Sequence, residues 1–179
     1  MTRLLHVLAR WSRRAIAVSR NERGLIGVMG SLIGASAIQL VRKTVDEGVA
    51  NSTTLQDDDE LKGQLAANEI VAFQAYLHVT GVAAADIKIA FTVPTGATMW
   101  WAPFGTVMID DSGTINGTSV VTGSGSSVSF DTNSRLINIA GYVANGANAG
   151  NLQLQFAQVS SNASASSIKI GSSLVMFRE

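Results

Sequence analysis

Hydrophobic and polar residues alternate with a period of two through most of the chain beyond about residue 41. In residues 69–79, for example, Val71, Phe73 and Leu77 point to one side, while Gln74 and His78 point to the other. Alternation of this kind is typical of a β-strand with one buried face. The pattern predicts half-buried strands in five segments: residues 69–79, 86–93, 136–143, 152–156 and 168–177.

Turn-forming residues separate these segments. Glycine, asparagine and proline favour the backbone conformations of tight turns, and no helical period is visible between the segments. Short strands joined directly by turns predict an all-β fold, an antiparallel β-sandwich or jelly roll. The predicted turns are residues 94–96, 111–113, 116–117, 123–125, 145–146 and 148–150.

The first 40 residues have a different character. Residues 1–23 repeat hydrophobic side chains near the helical period of 3.6, with arginines between them. We therefore predict an N-terminal arm that is partly helical over residues 1–40, followed by the sandwich over residues 41–179. The side chains expected to anchor this arm are Arg3, Arg10, Trp11, Arg13, Arg14, Arg20 and Arg23.

Charge divides the chain at about the same place. The formal net charge is zero. Residues 1–43 contain eight Lys or Arg and one acid, a net +7, whereas the remainder contains five bases and twelve acids, a net −7. A segment with its own charge indicates its own partner: nucleic acid, anionic lipid or an acidic protein surface. Attraction between the arm and the acidic domain of the same chain is the simpler alternative.

The residue inventory argues against catalysis. Cysteine is absent, so the chain has no thiol nucleophile and no cysteine metal site. The two histidines, His6 and His78, are not near a nucleophile motif, and no G-x-S-x-G sequence is present. We expect no enzymatic activity and no cofactor.

One acidic cluster occurs, in the stretch Asp57–Glu60. Clustered carboxylates can bind Ca²⁺, but the spacing here differs from an EF-hand loop, because the twelfth position from Asp57 is Asn68. We interpret the cluster as a solvated turn between two strands in preference to a metal site.

Trp100, Trp101 and Phe104 form the largest aromatic concentration. Aromatic faces can stack on sugar rings, and the same side chains can equally fill a core or a subunit contact. We favour the contact over the ligand platform.

Two long stretches resemble a family of tailed-bacteriophage virion proteins. The first, residues 41–101, contains TLQDDDEL, AANE and DIKIAFTVPTGA, and the second, residues 136–179, contains GNLQLQFAQ, a Ser/Asn/Ala loop and a closing GSSL strand. The resemblance implies a small trimeric jelly-roll domain, of the C1q and tumour-necrosis-factor type, displayed on the virion surface. It supplies no catalytic residues, and it does not extend to residues 1–40.

The interior of such a trimer would favour apolar or amide side chains. On this basis we predict that the trimer axis is lined by Gln153, Gln155 and Gln158.

The uncharged run Gly24–Val41 has two interpretations. Its 18 residues approach the lower limit for a membrane span, but its four glycines and three polar side chains weaken insertion. Its small residues also suit close packing against other protein chains. We favour an assembly arm over a membrane anchor, and the anchor over a contact with nucleic acid.

Together these observations predict a non-enzymatic phage structural protein: a capsid decoration, cement or head-spike homotrimer attached by its arm to other virion proteins such as the major capsid protein. The alternatives are a tail-fibre or spike module that binds a receptor or host-surface glycan, and a membrane-anchored surface protein.

Overall fold

The alternating segments form antiparallel strands. The computed structural model describes residues 38–104, 121–130 and 135–178. The strands in these ranges are β1 (Ile38–Arg42), β2 (Glu47–Val49), β3 (Gln56–Leu65), β4 (Ile70–Thr80), β5 (Ile87–Thr92), β6 (Thr98–Pro103), β7 (Val121–Thr122), β8 (Ser127–Phe130), β9 (Arg135–Ala144), β10 (Gly150–Ala157), β11 (Ser166–Ile168) and β12 (Ser173–Arg178).

These strands build two antiparallel sheets. Sheet 1 has the order β1-β12-β4-β9-β6-β7, with β11 pairing β4 and β2, and sheet 2 has the order β3-β10-β5-β8. The chain crosses between the sheets at each step from β3 to β6 and again from β8 to β10. The inward side chains of both sheets form one hydrophobic core. The predicted all-β antiparallel sandwich is therefore confirmed.

Three aromatic rings join the sheets at the centre of the core. The ring of Phe91, on β5 of sheet 2, lies 5.1 Å from that of Phe73 and 5.2 Å from that of Trp101, which both belong to sheet 1. The Phe91–Trp101 contact is edge-to-face, an arrangement that aromatic quadrupoles favour. Gly141 on β9 leaves room for this cluster, since a Cβ atom there would lie 2.3 Å from the Phe73 ring.

Four of the five predicted strands are confirmed as β4, β5, β9 and β10. The prediction of one strand over residues 168–177 is wrong, because the chain turns between β11 and β12. Gly171 adopts φ = 88°, a left-handed conformation that glycine accepts without a Cβ clash. Ile170 consequently lies exposed in the turn and does not share the inward face of Leu174 and Met176.

The interpretation of Asp57–Glu60 as a solvated turn is also wrong. These residues lie within β3, and the side chain of Asp58 is fully buried. The register between β3 and β10 is irregular at this point. The Oδ1 atom of Asp58 accepts the backbone N–H groups of Glu60 and Leu61, at 3.0 and 2.7 Å. An acidic side chain thus satisfies backbone donors that the irregular strand leaves unpaired.

The predicted arm lies outside the described residues except for its last three positions, Ile38–Leu40. These belong to β1, so the uncharged run Gly24–Val41 ends in a strand that pairs with β12. In the part of the chain that the structure describes, no helix is long and apolar enough to cross a membrane.

Candidate interaction surface

Exposed hydrophobic side chains concentrate on the outer side of sheet 1, which we call the apolar face. It consists of the outward residues of β1, β12, β4, β9 and β6 together with Phe104. Of the twelve large hydrophobic residues that are exposed in the described ranges, nine lie on it. They are Ile38, Leu40, Ile70, Tyr76, Trp100, Phe104, Leu136, Tyr142 and Phe177.

The centre of the apolar face is a continuous cross-strand row. Ile38 pairs with Phe177, Phe177 with Ala72, Ala72 with Tyr142, and Tyr142 with Trp100. Directly opposed residues on neighbouring strands contact each other through their side chains. The rings of Trp100 and Tyr142 accordingly lie 5.8 Å apart with an interplanar angle of 31°. The row therefore presents an uninterrupted apolar band across five strands.

Charge is nearly absent from this face. Its outward strand positions include no Asp, Glu or Lys, and the basic residues among them are Arg42 at the end of β1 and His78 on β4. Its polar positions carry amides or hydroxyls, and the Tyr76 hydroxyl donates a hydrogen bond to Gln74 Oε1 at 2.7 Å. Depletion of charge with enrichment in aromatics is the composition of a protein–protein interface core.

The outer side of sheet 2, which we call the polar face, is built differently. Asp57, Lys62 and Gln64 point outward from β3, and Ser127 and Ser129 from β8. None of the twelve exposed large hydrophobics lies on it. The domain thus has one face suited to water and one face suited to a partner.

The structure separates the three aromatic residues that the sequence groups together. Trp100 is 44% exposed, and Phe104, four positions further along the chain, is also exposed on the apolar face. Trp101 is 1% exposed and belongs to the core, because successive strand residues point to opposite faces. A ligand or subunit can therefore reach Trp100 and Phe104, whereas Trp101 stabilises the sandwich.

The three glutamines proposed for a trimer axis also separate. Gln153 Nε2 donates to the carbonyl oxygen of Asp58 at 2.8 Å, and Gln158 is buried with its amide bonded to Ser164 and Asn162. Gln155 is half-buried on the polar face, where its Nε2 donates to Asp57 Oδ1 at 2.7 Å. Gln153 and Gln158 thus use their side chains inside the protomer.

A buried ionic cluster joins the start of the sandwich to β3. Lys43 Nζ lies 2.8 Å from Asp58 Oδ2 and 2.7 Å from Glu47 Oε2, and the side chains of Lys43 and Asp58 are fully buried. Burial, the largest single influence, lowers the pKa of Lys43, but the hydrogen bonds to Asp58 and Glu47 outweigh it and the pKa is raised. The lysine is therefore a charged partner to two carboxylates.

Two further carboxylates hold the connection between β1 and β2. Glu60 accepts hydrogen bonds from the hydroxyl and the backbone N–H of Thr44, and these bonds lower the pKa of Glu60. Asp46 pairs with Lys169 and accepts the backbone N–H of Ile170 at 2.7 Å, which lowers the pKa of Asp46. Much of the acidic charge near β3 is therefore structural.

The sequence predicts neither a metal nor a cofactor in this domain. Among the described residues, no three His, Asp or Glu side chains are grouped so that they could hold a metal ion. His78 lies exposed on β4, where its backbone N–H donates to Ser172 Oγ at 3.0 Å.

Comparison with known proteins identifies no family. No family model matches the chain, and no curated protein matches it. A solved structure, described as "Structure of infectious bursal disease virus Gx strain", aligns over 79% of this chain with 8% identity and a TM-score of 0.22. The alignment spans 36% of that viral chain, so this protein corresponds to about a third of its length. A TM-score this low carries no functional information.

Proposed function

We propose that this chain is a non-enzymatic structural protein of a bacteriophage virion, a homotrimer that decorates or cements the capsid and is attached through its basic N-terminal arm. The observation that carries the proposal is the unequal distribution of exposed hydrophobic residues, nine of twelve on the apolar face. Monomeric soluble domains normally expose hydrophobic side chains singly, whereas their concentration on one face marks an interaction surface. A subunit of an assembly covers it.

The strand order supports a jelly roll. Four adjacent strands of sheet 1, β1-β12-β4-β9, face the four strands of sheet 2, β3-β10-β5-β8, and the chain passes repeatedly from one sheet to the other. Strands β6 and β7 extend sheet 1 beyond β9. Two facing sets of four antiparallel strands are the arrangement of jelly-roll domains, which include viral capsid and C1q-like trimeric modules. Fold alone does not fix function, so the proposal also depends on the composition of the chain.

That composition suits attachment at one end and display at the other. Residues 1–40 contain six arginines and one glutamate, a net +5, and residues 41–179 contain seven bases and twelve acids, a net −5. A basic segment next to an acidic domain can bind an acidic surface of a capsid while the domain remains in solvent. The polar face, rich in Ser, Gln and mixed charge, suits the solvent side.

The direct test is the location of the chain in the particle. Purified virions should contain it in multiples of three per attachment site, as seen by cryo-electron microscopy and quantitative mass spectrometry. A variant in which Arg10, Arg13 and Arg14 are replaced by Ser should assemble normally but be lost from the virions. Absence of the wild-type chain from purified particles would refute the proposal.

A second candidate function is binding of a host-surface glycan at a fibre or spike. It is favoured by the exposed Trp100 ring, with Tyr142 and Phe104 on the same face. Aromatic faces stack on sugar rings. A glycan array probed with the full chain should then show signals that Trp100→Ala abolishes, whereas Ser129→Ala on the polar face retains them.

A further inference from the structure

We infer that the apolar face is the surface through which copies of this chain contact one another, and that the polar face points away from the assembly. The inference rests on the proposed homotrimer and names its contact surface. It differs from the sequence prediction, which placed Gln153, Gln155 and Gln158 at the axis. The contact centres on the row from Ile38 through Phe177, Ala72 and Tyr142 to Trp100.

The scarcity of charged residues on the apolar face favours another copy of the chain as its binding partner. Nucleic acid or an acidic protein surface would need several cations to pair with, and the outward positions of this face offer Arg42 and His78 at its margins. A lipid surface would bury the amides of Gln74 and Asn138, which lie at the centre of the face. A second uncharged apolar and amide-bearing surface complements it, and around a threefold axis one part of this face meets a different part of the same face on the next copy.

The size of the face fits a subunit contact. The face spans five strands about 4.8 Å apart, with about four outward side chains per strand spaced about 6.8 Å along it, so its flat area is about 600 Å² on each protomer. Stable interfaces bury about 800 Å² of accessible surface per partner, and side chains that protrude add to the flat outline. The exposed aromatic side chains of Trp100, Tyr142 and Phe177 are anchors of the kind that dominates such contacts.

Exposed positions on the apolar face can be given a charge to test the inference. Ala72 is exposed at the middle of the central row, so Ala72→Glu adds a charge there without removing a core contact. Leu40→Glu does the same at β1, where Leu40 is 62% exposed. Ser129→Glu adds an equal charge to an exposed strand position on the polar face and is the matched control.

Sedimentation equilibrium of the full-length variants separates the outcomes. We expect wild type and Ser129→Glu to be trimeric. Both apolar-face variants should need at least about a hundredfold higher concentration to form trimers. Their far-ultraviolet circular dichroism spectra should match that of the wild type, which shows that they are folded. Trimeric Ala72→Glu and Leu40→Glu proteins would overturn this inference and leave the proposed trimer intact. A monomeric wild type would refute the trimer itself, and if those monomers co-sediment with lipid vesicles while Ala72→Glu monomers do not, the face is assigned to a membrane.

Discussion

Lys43 and Asp58 form an ion pair of 2.8 Å whose two side chains are completely buried. Lys43 follows β1 of sheet 1, and Asp58 lies in β3 of sheet 2, so the pair fastens the first part of the sandwich to the opposite sheet. Glu47 contacts the same ammonium group at 2.7 Å, and the backbone N–H groups of Glu60 and Leu61 bind the other oxygen of Asp58. The buried charges are thus fully partnered.

Removal of either charge of the Lys43–Asp58 pair should destabilise the fold, because the other charge then remains buried without its partner. We expect Lys43→Met to lower the free energy of unfolding by about 3–5 kcal/mol, measured by urea denaturation at one protein concentration. Lys62→Met is the control, since Lys62 is exposed on the polar face, and it should change stability by less than about 0.5 kcal/mol. Equal effects of the two substitutions would show that the buried pair is not structural.

Stability should fall on the acid side. The pKa values of Asp46 and Glu60 are lowered from 3.8 and 4.5 by hydrogen bonds in the folded protein. The unfolded chain therefore binds more protons near these values, and the free energy of unfolding decreases as pH falls below 4.5. The raised pKa of Lys43 adds a loss only above 10.5. Urea midpoints should be level from about pH 6 to about pH 9.

The variant Glu60→Gln tests whether Glu60 causes the loss of stability at acid pH. It keeps a side-chain oxygen that can accept from Thr44 but removes the titrating group. We expect its urea midpoint to depend less on pH below 4.5 than that of the wild type. If the urea midpoint of the variant falls with pH as steeply as that of the wild type, Glu60 is not the cause of the acid destabilisation.

Gly141 should not tolerate a methyl group. An added Cβ would lie 2.3 Å from the Phe73 ring and 2.8 Å from Trp101 Cβ. Overpacking of this kind costs about 1–3 kcal/mol, so Gly141→Ala should lower the urea midpoint. Ala144→Ser, at a half-buried position of the same strand, should leave it nearly unchanged, and equal midpoints for the two variants would contradict the close approach.

The adjacent tryptophans should respond differently to truncation. Trp101→Ala empties a core site and should lower stability by about 3–5 kcal/mol. Trp100→Ala should instead weaken association, because Trp100 is exposed on the apolar face. Thermal unfolding at two protein concentrations distinguishes them: the melting temperature of an assembly depends on concentration, and Trp100→Ala should reduce that dependence. If Trp100→Ala lowers the melting temperature at low protein concentration more than Trp101→Ala does, the placement of Trp100 at the surface and Trp101 in the core is contradicted.

The sequence predicts the strands whose inward positions are hydrophobic. In β4, the buried Val71, Phe73 and Leu77 follow strict alternation, and the large hydrophobic residues of β9 and β10 are spaced by the same period of two. It misses β3 because two of its inward positions are Asp58 and Gly63, and the Asp58 carboxylate is neutralised by a lysine 15 residues earlier. Gly63 leaves room for the Met176 side chain, a close approach that only the packed sheets reveal.

The apolar face could be predicted only in part. Alternation alone indicates that one of Trp100 and Trp101 points outward. The remaining members, including Leu136, Tyr142 and Phe177, occupy positions that the pattern treats as the solvent side of their strands. Their assembly into one band depends on the register between strands far apart in sequence, such as the pairing of Ile38 with Phe177. That register follows from tertiary packing and not from local sequence.

Sedimentation equilibrium over a wide concentration range at neutral pH gives the mass of the full-length wild-type protein in solution and so shows whether it forms trimers. We expect a single species with three times the 18.7 kDa mass of the chain. A protein that remains at 18.7 kDa at the highest concentration would contradict it, because the apolar face would then be exposed to water without a partner.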